Sequence, residues 1–209
     1  LRMTNQRVLM TAVGSYLPAN VVTNEALSSF VDTDDAWIRR RTGIAQRHLV
    51  ADGETTADLA YHAAAKALAN ANLTGADIDL IIIATTTPDN TFPSTATKLQ
   101  HMIEAKGAIA FDIQAVCAGF VYALDVADAM LQSGRGRRAL VVGAESFSKL
   151  LDWEDRTTCV LFGDGAGAVV LELADDAGDD AGDWGIRSSV LHSDGAYRDI
   201  LYVDGGPSS

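Results

Sequence analysis

The chain has 209 residues, of which 48% are hydrophobic and 21% charged, a balance that supports a packed core and excludes a disordered or low-complexity chain. Its net charge of −12 argues against a broad nucleic-acid-binding surface. Two cysteines make no disulfide framework and point to a reducing, cytoplasmic setting, and the longest apolar runs, such as Leu80–Ala84, are far too short to span a membrane.

Val8–Gly14 has the composition of a strand, and GSYLPANVVTN after it that of a loop. Asn24 suits the cap of a short helix through Phe30. Thr33-Asp34-Asp35 opens a second helix carrying Trp37, Arg39, Arg40 and Arg41, with Thr33 in the cap position and the acidic pair in the first turn. Thr42-Gly43 ends it, and Ile44–Val50 follows as an edge strand. Thr55 to Asp58 has capping-box spacing and starts an alanine-rich helix to about Asn72, with Leu59, Ala63 and Ala67 as its packing stripe. Asp79–Thr85 is a buried strand, and Phe92-Pro93-Ser94 leads into a helix that turns Leu99, Met102 and Ile103 inward. Strands Ala108–Phe111 and Ala139–Gly143 bracket a helix from Cys117 to about Gln132. Thr158–Phe162 and Ala166–Leu173 flank a glycine loop, Gly163–Gly167. Ala174–Asp183 is a solvated acidic turn, Gly185–His192 returns as a strand, and the last residues form a loop. Continuous apolar strands alternating with helices imply an α/β fold with a mainly parallel sheet covered on both faces.

The strongest chemical signal is DIQAVCAGF, residues 112–120. It joins a short strand to a helix that opens at or just after Cys117. A thiol there sits among unpaired backbone N–H groups at the positive end of the helix dipole, which favours the nucleophilic thiolate. An isolated cysteine is more often a buried core residue; the strand, tight turn and Ala-Gly after the thiol favour the nucleophile. On this helix Val121, Asp125, Asp128 and Gln132 share one narrow sector, and nearly all the rest is small or apolar. Such a helix calls for cover on most sides, as in the middle layer of a fold.

Other features are plainer. A dinucleotide loop needs a helix after its glycines, whereas Gly163–Gly167 runs into AVVLEL, so these glycines serve close backbone packing. His48, His62, His101 and His192 have no metal-ligand spacing. Cys159 precedes an apolar run and fits a core. Arg39–Arg41 suits a solvated face, but Trp37 lies four residues before Arg41, and an aromatic plane beside a guanidinium also suits a purine and a phosphate. Arg135, Arg137 and Arg138 complement the C-terminal dipole of the Cys117 helix.

DIQAVCAGF, together with DTDDAWIRRRTGI, TPDNTFPSTA and TCVLFGDGAGAVVL in that order, resembles the β-ketoacyl-acyl-carrier-protein synthase III family of thiolase-like condensing enzymes, from about Val8 to Gly206. The resemblance implies a layered αβαβα architecture, with residues 1–173 as the N-terminal half and 174–209 as a connection to a second half. It implies that Cys117 is acylated by an acyl-coenzyme A, then attacked by the enolate of a decarboxylating malonyl-acyl carrier protein. Trp37 and Arg156 would clasp the adenine of coenzyme A, with Thr33 and Arg41 close to the nucleotide, and Phe92 would cross a homodimer interface to wall the partner's acyl pocket. The same resemblance implies no tightly bound cofactor, no metal, and neither nucleic acid nor membrane as partner. The family's catalytic histidine and asparagine belong to the second half, and none of the four histidines here matches their motif. Two other readings stay open: a relative in secondary metabolism that transfers acyl groups or joins other starters, and a non-catalytic partner subunit of the same fold.

Overall fold

The computed structural model describes residues 6–174 and 185–208. Its main sheet has the order β1 (Arg7–Tyr16), β7 (Asp164–Ala174), β6 (Arg138–Ser146), β4 (Leu80–Ala84), β5 (Ile109–Ile113). β4 runs parallel to both β5 and β6, while β7 runs antiparallel to both β6 and β1. The sheet is therefore mixed rather than mainly parallel. Strands β4, β5 and β6 are linked through α4 (Thr95–Met102) and α5 (Gly119–Gln132), and such crossovers permit parallel pairing. The connection from β6 to β7 holds only short 3₁₀ turns, so the chain reverses and pairs antiparallel.

The uninterrupted apolar run of β4 is explained by burial on both faces. Ile81 and Ile83 pack with the alanines of α3 (Thr56–Ala71), whereas Leu80 and Ile82 pack with Ala123, Ala127 and Leu131 of α5. All four are fully buried, each contributing about 1.5–3 kcal/mol relative to exposure. Helix α3 begins at the expected capping box, Thr55 bonding the Asp58 amide while the Asp58 carboxylate accepts from the Thr55 amide. Its alanine face lets β1 come very close: a Cβ on Gly14 would stand 2.3 Å from the Ala63 carbonyl oxygen.

Several local expectations need correction. The loop after β1 contains a strand, β2 (Asn20–Thr23), which pairs antiparallel with β3 (Gln46–Leu49) in a two-stranded ribbon. Thr23, not Asn24, caps α1 (Asn24–Leu27), because the Asn24 side chain is fully buried in bonds of its own. Asp34, not Thr33, caps α2 (Asp35–Thr42), accepting from the Trp37 amide at 2.6 Å. Gly43, at φ 76°, ends α2 in the left-handed conformation that suits glycine. Gly165 and Gly167, expected in a loop, lie within β7, and Cys159–Leu161 ahead of them is a 3₁₀ turn. Most of the acidic turn, residues 175–183, falls outside the described residues. Residues 186–194 have no regular secondary structure and are tied to the β1 edge by a backbone bond from the Ile186 amide to the Val8 carbonyl.

Helix α5 is less enclosed in this chain than its composition calls for. Gly119, Ala123, Ala127 and Leu131 are buried, but Val121 on the opposite side is 49% exposed. Part of that side is met by residues 189–193, through a bond from Tyr122 to the His192 carbonyl, one between the Tyr122 and Ser193 hydroxyls, and one from Ser189 to Asp125.

Candidate active site

At the end of β5 the chain has little room to turn. Asp112 accepts bonds from the Thr95 and Ala96 amides at 2.7 Å each, fixing the strand to the start of α4. Val116 then takes φ 48°, a left-handed conformation that costs a β-branched residue of order 1–3 kcal/mol. The 3₁₀ turn Val116–Ala118 passes directly into α5, whose first turn has no side-chain cap. Gly119 is buried against Ala84, where a Cβ would meet the Ala84 Cβ at 3.3 Å. This close seat sets the tip of the helix on the end of β4 and leaves Cys117 exposed.

Cys117 borders an open hollow of about 400 Å³. Its floor is made by Gly143, Gly165 and Gly167 on adjacent strands, with Gly143 opposite Gly167 in register and the Phe120 ring lying over Gly143. The glycines expected to pack backbone closely thus create space beside the thiol. Glu145 also lines the hollow. Its carboxylate accepts from the Thr86 amide and hydroxyl and from the Thr87 hydroxyl at 2.7–2.8 Å, holding the chain after β4. Neither Glu145 nor Gly143 stood out in the sequence, because each owes its place to strand register. None of the four histidines lines the hollow.

A second constellation forms around Trp37. The guanidinium carbons of Arg41 and Arg156 each lie 4.6 Å from its ring centroid. Arg41 arrives by helical spacing, four residues along α2. Arg156 is carried by a turn that Asp155 braces, its carboxylate accepting from the Thr157 amide and the Thr157 and Thr158 hydroxyls. Those hydroxyls hold the Asp155 carboxyl below its usual range. Arg156 also pairs with the exposed Asp32 at 3.5 Å. Two buried polar atoms here make no hydrogen bond, Thr33 Oγ1 and Arg156 Nε. Cationic planes against an indole suit a flat anionic ligand.

Phe92 is 83% exposed on the loop between β4 and α4, whose root is held by Asp89 through the Ala57 amide and Lys98. Cys159 is fully buried, and burial followed by the nearby Asp155 pushes its thiol up. No three His, Cys, Asp or Glu side chains gather as a metal site among the described residues, and no described helix is long and apolar enough to cross a membrane.

Known proteins share this fold and much of this sequence. The family described as 3-oxoacyl-[acyl-carrier-protein (ACP)] synthase III matches residues 111–195, which include the Cys117 turn and the whole of α5. A β-ketoacyl-[acyl-carrier-protein] synthase III of Paramagnetospirillum magneticum is 61% identical over 94% of this chain and 60% of its own length. The crystal structure of 3-oxoacyl-(acyl carrier protein) synthase III from Pseudomonas aeruginosa PAO1 is 41% identical with a TM-score of 0.88, covering 96% of this chain and 61% of that one. That of the priming β-ketosynthase of the R1128 polyketide pathway is 36% identical with a TM-score of 0.79, covering 84% of this chain and 53% of that one. The chain thus spans about 60% of the length of the curated relatives it matches. Over that span its sequence and its fold place it in the β-ketoacyl-acyl-carrier-protein synthase III family, within the thiolase-like superfamily.

Proposed function

We propose that this chain is the nucleophile-bearing, N-terminal portion of a cytoplasmic condensing enzyme primed by acyl-coenzyme A. The observation that carries the reading is the exposed Cys117 at the mouth of α5, beside a hollow floored by glycine. In the first half-reaction the Cys117 thiolate attacks the thioester carbonyl, the bond to coenzyme A sulfur breaks, and the acyl group remains on Cys117. In the second, malonyl-acyl carrier protein loses carbon dioxide, and its enolate carbon attacks the acyl-Cys117 carbonyl. A carbon–carbon bond forms, the Cys117 thiolate leaves, and 3-oxoacyl-acyl carrier protein is released.

Both steps develop negative charge on oxygen, which preorganised donors must meet. In this reading the histidine and asparagine donors that the resemblance assigns to a second half pack on the exposed side of α5, with residues 1–173 as one half and 174–209 leading to the other. Val116, Val121, Val13 and Leu17, all 49–58% exposed, provide an apolar bed for that layer. Coenzyme A enters as a substrate, its adenine taken by Trp37 and Arg156 with Arg41 and Thr33 beside it. Phe92, exposed on a braced loop, suits the wall of a partner's acyl pocket in a homodimer.

Similarity to the R1128 priming β-ketosynthase supports a second reading, a condensing or acyl-transferring enzyme of secondary metabolism with the same thiolate. A non-catalytic partner subunit has no use for an exposed cysteine at that position. The test is product formation by the complete enzyme from labelled malonyl-acyl carrier protein and a panel of acyl-coenzyme A primers. Short primers giving 3-oxoacyl-acyl carrier protein support the first reading; transfer without loss of carbon dioxide supports the second. No product with any primer, and none lost on Cys117→Ala, would overturn both.

A further inference from the structure

Trp37 and Arg156 reach each other from separate parts of the chain, and two fully or nearly fully buried polar residues lie between the segments that carry them. Asn24 is 0% exposed and Arg47 is 5% exposed. The Asn24 amide donates to Asp35 Oδ1 and to the Ile44 carbonyl, both at 2.8 Å. It thereby holds both ends of α2, since Asp35 is its first residue and Ile44 follows its C-cap. The Arg47 guanidinium donates to Asn24 Oδ1 at 2.9 Å, to the Val22 carbonyl at 3.2 Å and to the Val160 carbonyl at 3.4 Å. Val160 belongs to the turn after Arg156, and the amide of its neighbour Cys159 bonds back to the Asp155 carbonyl at 3.0 Å.

Arg47 forms none of the observed ion pairs, so a cation is buried against three neutral oxygens, with Nε left without a partner. Burial of this kind is unfavourable unless the acceptors are well placed, and apolar replacements often match buried charge in stability. Stability alone gives little reason for a guanidinium here. Its planar fork supplies something else, three acceptors from two distant stretches of chain, Val22 to Asn24 and the turn at Val160, joined at fixed angles, which a lysine point charge does not reproduce.

We infer that Asn24 and Arg47 are positioning residues that hold the segments carrying Trp37 and Arg156 in the relative placement from which the two residues take up a purine. This rests on the proposal that Trp37 and Arg156 form the nucleotide clasp. Neither Asn24 nor Arg47 touches the ligand. They act through Asp35 on the Trp37 side and through Val160 on the Arg156 side.

The experiment compares two thioesters in the complete enzyme: an acyl-coenzyme A, and the same acyl group on N-acetylcysteamine, which lacks the nucleotide. Apparent KM and kcat are measured for wild type, Arg47→Lys, Asn24→Ala and Trp37→Ala, with the iodoacetamide rate at Cys117 and the melting temperature recorded for each. Arg47→Lys is expected to lower the preference for the coenzyme A ester by at least about fivefold, the low end of what an aromatic stack with a base contributes. The N-acetylcysteamine ester and the Cys117 alkylation rate should stay within about twofold of wild type. Equal losses on both esters, or an unchanged preference, would overturn the inference while a selective loss in Trp37→Ala keeps the clasp. If Trp37→Ala is itself unselective, the clasp falls and the inference with it. Should Arg47→Lys fail to fold, Asn24→Ala carries the same comparison.

Discussion

Arg156 rests with its guanidinium carbon 4.6 Å from the ring centroid of Trp37, although one residue sits on a turn ahead of β7 and the other on α2 near the chain's start. Arg41 stands at the same distance from that ring. The indole with its neighbouring guanidiniums offers a flat anion both an aromatic plane and positive charge. Trp37→Ala is expected to weaken acyl-coenzyme A binding by about 1–3 kcal/mol if stacking is comparable to that of nucleic-acid bases on aromatic rings. Titration calorimetry on the complete enzyme measures it. Unchanged affinity with lowered stability would make Trp37 a packing residue only.

The two cysteines should differ sharply toward electrophiles. Cys117 is exposed at the start of α5, whereas Cys159 is fully buried in the cluster with Leu27, Val31, Ile38 and Val160, and burial pushes its thiol up. Iodoacetamide followed by peptide mass mapping should label Cys117 well before Cys159, and an acyl-coenzyme A should protect it. Equal rates at the two sites, or no protection, would remove the nucleophile from the account.

Much of this architecture was legible in the sequence where a local rule had no competitor. The Thr55 capping box, the alanine stripe of α3, the doubly buried run of β4 and the glycine after α2 each follow from spacing and composition, and the structure has all four. Cap assignments at Asn24 and Thr33 failed for one reason. Thr-Asn and Thr-Asp-Asp both offer more than one capping side chain, and spacing alone does not choose between them; at α2 the cap is Asp34, through the Trp37 amide. Asn24 turns inward to Asp35, Ile44 and Arg47, which leaves the cap to Thr23. The glycine floor beneath Cys117 was out of reach because it depends on Gly143 meeting Gly167 in an antiparallel register. The helix–strand alternation that pointed to a parallel sheet gave no warning that β7 would reverse.

Gly14 offers a direct test of the packing between β1 and α3. An alanine there would place its Cβ 2.3 Å from the Ala63 carbonyl oxygen and 2.4 Å from the Ala67 amide nitrogen. Both are helix backbone atoms and cannot swing aside. Gly14→Ala should cost about 1–3 kcal/mol of stability, the usual scale for overpacking a close contact. Denaturant unfolding provides the value, and a neutral substitution would mean that the strand sits further from the helix.

Acid should loosen the α1–α2 region earlier than its burial suggests. The Asn24 amide, and after it Arg39, hold the Asp35 carboxyl below its ordinary value. A depressed carboxylate contributes stability that is present above the unfolded value of about 4 and is lost as pH falls through the lower folded value. Melting curves from pH 6 to pH 2.5 should fall in that acid window, and Asp35→Asn should flatten the fall. An identical acid profile in the variant would show that Asp35 takes no part.

The central claim is that Cys117 carries the acyl group between the two half-reactions. Incubating the complete enzyme with an acyl-coenzyme A and measuring its intact mass, followed by peptide mapping, tests this most directly. The account predicts one added acyl group on the peptide containing Cys117, discharged by malonyl-acyl carrier protein and absent from Cys117→Ala. An acyl group on Cys159, an adduct that survives in Cys117→Ala, or no adduct on a folded enzyme would contradict it.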